Sequence, residues 1–240
     1  MRLICLPYAG GSATIYARWK RSLPSWIDVV PLELPGRGAR MDEPLHEDPA
    51  ALADQLAAEL VDATLASPFV LFGHSLGGLI AFEIAHRLLG LGVQTPQMLL
   101  VAGTEAPAMR DDSRWRVPLG DDALRAELLR LNGTPQEALQ SREIMQAALP
   151  VLRADFLMCG NYVHRRRRPL PCPIRVFGGD RDETRAEALQ AWRGETSASF
   201  GLDMLAGDHF FIHGRQAELL NLIAAVLARQ ERPQLAAAGV

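Results

Sequence analysis

The sequence predicts an α/β fold, with one mostly parallel sheet, helices on both of its faces and an all-helical insertion. Short apolar runs of strand length recur along the 240 residues, and segments with helical spacing of apolar residues lie between them. Near-continuous apolar runs are typical of parallel strands buried on both faces, which right-handed helical crossovers connect. One long region shows helical patterns and no strand, which indicates an insertion.

Six strands are predicted in order along the chain, and the last is the weakest. They span residues 3–6, 29–34, 69–72, 98–101, 174–177 and 202–205. The helices predicted for the core span residues 49–66, 76–89, 183–192 and 215–229. In the first helix, Leu52, Leu56 and Leu60 recur at helical spacing, and Pro49 suits a first-turn position.

The helical insertion is predicted at residues 111–168, and it divides the core into residues 1–110 and 169–232. A flexible tail is expected at residues 233–240. An insertion of this kind forms either a lid over a binding site or a cover for a sheet edge. We favour the lid, because substrate-shaping segments are often inserted into a rigid sheet.

Three helices are expected inside the insertion. Asp121 or Asp122 is a candidate cap for the first of them. Residues 134–137 are typical of a capping box, with proline at the first helical position of the second helix. Residues 149–162 are predicted to form the third.

Composition excludes several classes of protein. A formal net charge of -3 argues against a nucleic-acid partner. No apolar run reaches the roughly 18 residues of a membrane span, and Pro7 and two glycines make the opening segment a strand rather than a signal peptide. Three scattered cysteines form no disulfide framework, so we expect a reducing compartment and a cytoplasmic protein. Nothing in the sequence indicates a metal or organic cofactor, and a monomer is the default expectation.

The segment Gly73-His74-Ser75-Leu76-Gly77 fits G-x-S-x-G, the nucleophile elbow. It lies between an apolar strand and an amphipathic helix, which is the context that this motif requires. The glycines are needed because a Cβ there would collide with neighbouring backbone, and the tight turn exposes the serine hydroxyl. Ser75 is therefore the predicted catalytic nucleophile.

A serine nucleophile needs a base and an acid that orients the base, in the chain order serine, acid, histidine. His209 follows the last strand, and we prefer it to His213 as the base. Asp180 and Asp182 both follow the preceding strand. Asp182 is favoured for its greater reach along the loop, but the residues alone barely separate the two.

The oxyanion of a tetrahedral intermediate needs backbone N–H donors. One is expected from Leu76, the residue after the nucleophile. The other is expected from the loop after the first strand, where Gly10 and Gly11 make the chain tight. Ala9 is the predicted donor, and Tyr8 is the alternative.

Several motifs occur together in the order seen in one known family. They are "LPYAGGSA", "LELPGRGAR", "GHSLGG", "LRADF", "FGGDRD" and "GDHFF". With these motifs the chain, from residue 3 to about 229, resembles the type II thioesterases, stand-alone hydrolases that accompany nonribosomal peptide and polyketide synthases. The elbow is shared by many hydrolases, whereas the pairing of "PYAGGS" with "LPGRGAR" is far more specific.

The resemblance implies an α/β-hydrolase fold with a helical lid, and hydrolysis of acyl groups from the phosphopantetheine thiol of acyl- or peptidyl-carrier proteins. It supports Ser75, Asp182 and His209 as the triad, with Ala9 and Leu76 as oxyanion donors; the choice of Asp182 rests mainly on it. The alternatives are an acyl-CoA or fatty acyl thioesterase, a carboxylesterase, or a non-catalytic binding protein of the same fold.

Two departures from the family pattern stand out. The chain starts almost at the strand before the oxyanion loop, which puts the antiparallel edge of the wider fold in doubt. In "GTEAP", residues 103–107, Glu105 stands where the family often has a basic residue.

Three charged segments allow a structural and a functional interpretation. The run "HRRRR" at 164–168 is either a solvated linker or a surface that steers an acidic carrier protein. Arg37 and Arg40 are expected to brace their loop rather than to approach the pantetheine entrance. Arg153 and Asp155 are candidates for a pair two residues apart on the lid, and we interpret them as packing and hydrogen-bonding groups rather than catalysts.

Overall fold

The computed structural model describes residues 1–64 and 67–237 and contains one six-stranded sheet in the order β2-β1-β3-β4-β5-β6. The strands are β1 Arg2–Leu6, β2 Asp28–Pro31, β3 Phe69–His74, β4 Leu99–Ala102, β5 Ile174–Gly179 and β6 Phe200–Leu205. All five pairings are parallel, so the described strands include no antiparallel edge. The predicted α/β class is confirmed.

Helices cover both faces of the sheet. They are α1 Trp19–Ser22, α2 Pro49–Thr64, α3 Leu76–Gly90, α4 Asp121–Leu131, α5 Gln136–Gln140, α6 Arg142–Asn161, α7 Ala186–Gln190, α8 Phe211–Gly214 and α9 Gln216–Ala237. Helices α2, α3 and α6 contribute buried side chains to the core on one face, and α1 and α9 contribute to the core on the other. Alternate residues of β1 enter the two cores, as period-two geometry requires.

The region between Asp111 and Arg168 contains helices and no strand. Its boundaries and its function as a lid stay predictions. The helix predicted at 149–162 is longer, because Ser141 caps α6 at its N-terminus through a hydrogen bond from Ile144 N, 3.3 Å. Pro150 lies inside this helix, where proline normally indicates a helix end.

Both predicted caps in the insertion are wrong in detail. Gly120 is the N-cap of α4, and the two aspartates lie in its first turn, where they complement the helix dipole. Helix α5 begins at Gln136 with Pro135 at the N-cap and no side-chain cap hydrogen bond, so the capping box is not formed.

Other element ends also differ from the predictions. Strand β2 ends at Pro31 rather than at 34, although Leu32 N still donates to Cys5 O at 2.9 Å. The helix predicted at 183–192 is the short α7 followed by a 3-10 turn, Ala191–Glu195. The delayed start has a local cause, because Thr184 N donates to the Asp182 carboxylate at 3.1 Å.

The predicted ends of α2 and of the C-terminal segment lie at or beyond the residues that the structure describes. Helix α2 was expected to reach residue 66, and residues 65 and 66 lie outside the described residues. Helix α9 continues to Ala237, and residues 238–240 also lie outside them, so flexibility of 233–240 stays a prediction. No helix in the described ranges has both the length and the apolar character to cross a bilayer. The three cysteines are buried and unpaired.

Candidate active site

Ser75 occupies a strained turn between β3 and α3. Its φ of 52° and ψ of -118° lie in a backbone region that non-glycine residues rarely adopt. Asn132 is the only other non-glycine residue with positive φ in the described chain. Ser75 N donates to Ala102 O of the neighbouring strand at 2.8 Å, which fixes the turn against β4. The predicted elbow is therefore formed, with the serine at its apex.

The flanking glycines are required by close backbone contacts. A Cβ on Gly73 would lie 2.1 Å from Gly77 O, and one on Gly77 would lie 2.3 Å from Leu6 O. The second contact also shows that the elbow packs directly on the end of β1. Ser75 and the loop that follows β1 are thus held side by side.

Asp182 and His209 form a hydrogen-bonded pair. His209 Nδ1 lies 3.0 Å from Asp182 Oδ2 and 3.2 Å from Oδ1. The Asp182 side chain is 2% exposed and that of His209 is 14% exposed, so solvent weakens this contact little. An imidazole engaged through Nδ1 leaves Nε2 free for chemistry, as in the serine hydrolase triad.

The competing candidates have other partners. Asp180 accepts a hydrogen bond from Gly207 N at 2.8 Å, and so supports the loop that carries His209 without contacting the imidazole. His213 Nε2 lies 3.0 Å from the Tyr8 hydroxyl. Of these two aspartates, Asp182 is the one that contacts the His209 imidazole, and its role as catalytic acid stays a prediction.

Ser75, Asp182 and His209 line one cavity of about 580 Å³, together with Tyr8 and Ala9. Its apolar wall is formed mainly by side chains of the insertion, among them Trp115, Leu128, Met145, Leu152 and Phe156. Ser75 Oγ makes no hydrogen bond within the described part of the chain. Catalytic hydrogen bonds often form fully only in the substrate complex, so the lack of one at Ser75 is compatible with a nucleophile that shares a cavity with His209.

The loop after β1, residues 7–11, which we call the oxyanion loop, contributes residues 8–11 to the lining of this cavity. Gly10 N donates to Asp155 Oδ2 at 2.7 Å, and Gly11 N donates to Tyr8 O at 2.9 Å. The N–H groups of Tyr8 and Ala9 have no hydrogen-bond partner among the described residues. The N–H of Leu76, at the start of α3, likewise has none in those residues, as expected for a first-turn amide.

A buried ion pair holds the oxyanion loop to helix α6. Arg37 donates to both carboxylate oxygens of Asp155, at 2.6 and 2.7 Å, and Asp155 is fully buried. Arg37 Nη1 also lies 3.4 Å from Gly11 O. The segment that contains Arg37, the oxyanion loop and helix α6 thus meet at the Asp155 carboxylate.

The candidate pair of Arg153 with Asp155 is not formed. Arg153 points away from Asp155 and donates to Leu119 O at 2.9 Å and to Asp121. Neighbours two apart on a helix do not face each other, which is the signal that sequence reasoning overlooked. Arg40 contacts Glu43 and Glu59, which fits the structural role expected for it.

His74 is a site residue that sequence reasoning missed. It is fully buried, its ring lies 5.1 Å from the His209 ring, and neither ring nitrogen has a hydrogen-bond partner in the described structure. Burial lowers the pKa of His74 well below its ordinary value, with smaller contributions from His209 and His213. The neutral form of His74 is therefore favoured, and its ring packs against that of His209 at an interplanar angle of 52°. A Cβ on Gly103 would lie 2.6 Å from the His74 ring.

The arginine run beyond α6 is divided between the core and the surface. Arg167 pairs with Glu83 at 2.5 Å, in a cluster that also contains Arg87 and Tyr162. Arg165, Arg166 and Arg168 are exposed. These three residues, which we call the arginine patch, form no ion pair with any described residue.

No group of three or more histidine, cysteine or acidic side chains in the described ranges is arranged to hold a metal ion.

Comparison with known proteins identifies a matching family and several similar chains. Residues 1–227 match the thioesterase domain family. Linear gramicidin dehydrogenase LgrE of Brevibacillus parabrevis is 41% identical, over 94% of this chain and 87% of its own length. Thioesterase PikA5 of Streptomyces venezuelae is 36% identical, over 93% of this chain and 80% of its own. The type II thioesterase BorB from the borrelidin biosynthetic cluster superposes with a TM-score of 0.84 at 37% identity, covering 93% and 91% of the two chains.

Proposed function

Since this chain belongs to the thioesterase domain family, we propose that it is a stand-alone type II thioesterase that hydrolyses acyl thioesters on the phosphopantetheine arm of carrier proteins. Removal of a wrong or stalled acyl unit would return the carrier to its nonribosomal peptide or polyketide synthase. The main support is the cavity shared by Ser75, Asp182 and His209, with Asp182 in contact with His209.

In the first step Ser75 Oγ attacks the thioester carbonyl carbon, and its proton passes to Nε2 of His209. The carbonyl oxygen becomes an oxyanion that accepts hydrogen bonds from the amides of Leu76 and Ala9. Collapse of this intermediate breaks the carbon–sulfur bond. The proton held on His209 leaves with the pantetheine thiol, and the acyl group remains on Ser75.

In the second step water attacks the acyl-serine ester and gives its proton to His209. The second tetrahedral intermediate uses the same two amides. It releases the free carboxylic acid and returns the proton to Ser75. Throughout, Asp182 holds Nδ1–H of His209 and stabilises the imidazolium that forms in each step.

The insertion supplies the acyl side of the cavity, and this supports its proposed role as a lid. The arginine patch supports docking of an acidic carrier protein, because its three guanidinium groups are exposed and unpaired within the described chain. We keep the monomer and the cytoplasmic location as predictions.

The test of this function is the Ser75→Ala variant, assayed for release of acid from acetyl-carrier and aminoacyl-carrier proteins. We expect no release above background, and labelling of the wild type but not the variant by a serine-directed phosphonate. Ser22→Ala is the matched control, because Ser22 is exposed on α1, outside this cavity, and the variant should keep turnover and labelling. Equal turnover by Ser75→Ala and wild type would refute the proposal.

The alternative substrates are separated by the same preparation. The proposal requires a higher kcat/KM for acyl-carrier than for the same acyl group on CoA or on p-nitrophenol. A preference for the CoA ester would favour an acyl-CoA thioesterase, and a preference for the oxygen ester would favour a carboxylesterase. Failure of Ser75 to label would favour a non-catalytic binding protein.

A further inference from the structure

Glu105 brings a carboxylate into the catalytic cavity. It is half-buried and lines the same cavity as Ser75. It follows β4 by three residues, and Ala102 at the end of β4 accepts the Ser75 N–H at 2.8 Å. Glu105 also lies close enough to Asp182, the proposed catalytic acid, for the Asp182 charge to act on its carboxyl group.

The Glu105 carboxylate has no hydrogen bond or ion pair among the described residues, although two arginines lie nearby. Arg110 is committed to Asp112, at 2.5 Å, and to the Thr104 hydroxyl. Arg185 is exposed and forms no ion pair with Glu105 in the described structure. Neither arginine therefore makes a direct hydrogen bond or ion pair with the Glu105 carboxylate in the described structure.

The electrostatic surroundings of Glu105 are unfavourable for an unpaired negative charge. Burial raises the pKa of its carboxyl group; the positive charges of Arg110 and Arg185 oppose that shift, while Asp112 and Asp182 add to it. A bound cation would remove this penalty and gain a charge-assisted hydrogen bond.

We propose that Glu105 is a specificity-determining residue that selects acyl groups carrying an ammonium group, so that the preferred substrates are aminoacyl thioesters. The α-ammonium of an aminoacyl group is two bonds from the carbonyl carbon that Ser75 attacks. A carboxylate that lines the same cavity as Ser75 is therefore a suitable acceptor for its hydrogen bond. This inference rests on the proposed function and concerns only the choice of acyl group.

The experiment uses the full chain and three carrier-bound substrates: alanyl, N-acetylalanyl and propionyl. The measured quantity is the ratio of kcat/KM for alanyl to that for propionyl, so that changes common to both substrates cancel. Glu105→Gln should lower this ratio about 10-fold, because a hydrogen bond to a charged group discriminates by about that factor or more. Glu105→Asp should retain part of the preference, and N-acetylalanyl should behave like propionyl in every variant.

The control is Glu187→Gln, which removes one exposed negative charge from α7, outside the catalytic cavity. It should leave the ratio at the wild-type value. A ratio that Glu105→Gln does not change, or that Glu187→Gln lowers equally, would overturn the selection by Glu105 while leaving the thioesterase proposal in place. Lack of turnover of all three substrates by the wild type would overturn both.

Discussion

Replacement of Asp155 by asparagine is the change that tests most about this site. Asp155 is fully buried, accepts two hydrogen bonds from Arg37 and accepts one from Gly10 N. Asparagine keeps the size of the side chain but removes the charge and one acceptor. It leaves the Arg37 guanidinium, which is about as deeply buried, without its counter-ion.

The magnitude follows from that burial. Breaking a buried ion pair by removing one partner costs about 3–5 kcal/mol, because the remaining charge is left in a poorly solvated position. For a chain of this length each kcal/mol lowers Tm by about 2–4 °C, so we expect a loss of about 6–20 °C. Activity should fall as well, since the Gly10 amide lies next to the proposed donor Ala9, and loss of one oxyanion donor lowers kcat by about 100-fold or more.

Urea unfolding and kcat on acetyl-carrier protein measure the two effects. Arg153→Gln is the matched control, because its partner Asp121 is largely exposed and such pairs contribute only about 0–1 kcal/mol. The double variant Arg37→Met with Asp155→Leu should regain most of the stability, since apolar residues can replace a buried pair, but not the kcat. A stability loss for Asp155→Asn no larger than that of the control, with normal kcat, would refute the reasoning.

The remaining predictions concern the triad, acid stability and carrier docking. Asp182→Asn should lower kcat by about 10⁴-fold, because it disturbs the tautomer of His209. Asp180→Asn should keep kcat within about threefold of wild type, because its amide oxygen can still accept from Gly207 N. Equal losses of kcat would contradict Asp182 as the catalytic acid. Burial, helped by Arg167, lowers the pKa of His86 to about 4, so the unfolded chain takes up a proton first and stability should fall as pH drops from about 6.5 towards 4. The urea midpoint of His86→Gln should fall less steeply over that range, and parallel curves would disprove this. Changing Arg165, Arg166 and Arg168 to serine should lower kcat/KM on acyl-carrier protein about 10-fold at low salt and less at high salt. The kcat should not change. The same kcat/KM as wild type at both salt concentrations would rule out docking at the arginine patch.

Local pattern predicted the sheet and the elbow well. Strands buried on both faces are continuous apolar runs, so β3 and β5 were predicted where they are found. The glycines around Ser75 are required by close backbone contacts, either within a few residues or with the adjacent strand. Such local constraints produce a recognisable residue pattern within one short segment of the sequence.

The parts that sequence reasoning missed depend on contacts between distant segments. Asp155 and Arg37 are 118 residues apart, so nothing in "LRADF" identified the partner, and the nearest charge in the sequence was the wrong choice. The length of α6 was underestimated because Pro150 is tolerated inside it. The choice between Asp180 and Asp182 likewise depends on how two loops meet in space, which the residue order does not encode.

Helix α6 connects the acyl side of the cavity with its catalytic side. Leu152 and Phe156 line the cavity, and Asp155, on the same helix, holds the Gly10 amide and Arg37. Contact between the helix and the loop is close, since a Cβ on Gly10 would lie 2.4 Å from Leu152 Cδ2. A displacement of α6 that widened the proposed acyl pocket would therefore break the hydrogen bond from Gly10 N to Asp155, or move the loop with the helix. We therefore expect the fit of the acyl group and the geometry of the proposed oxyanion donors to be coupled through this one helix.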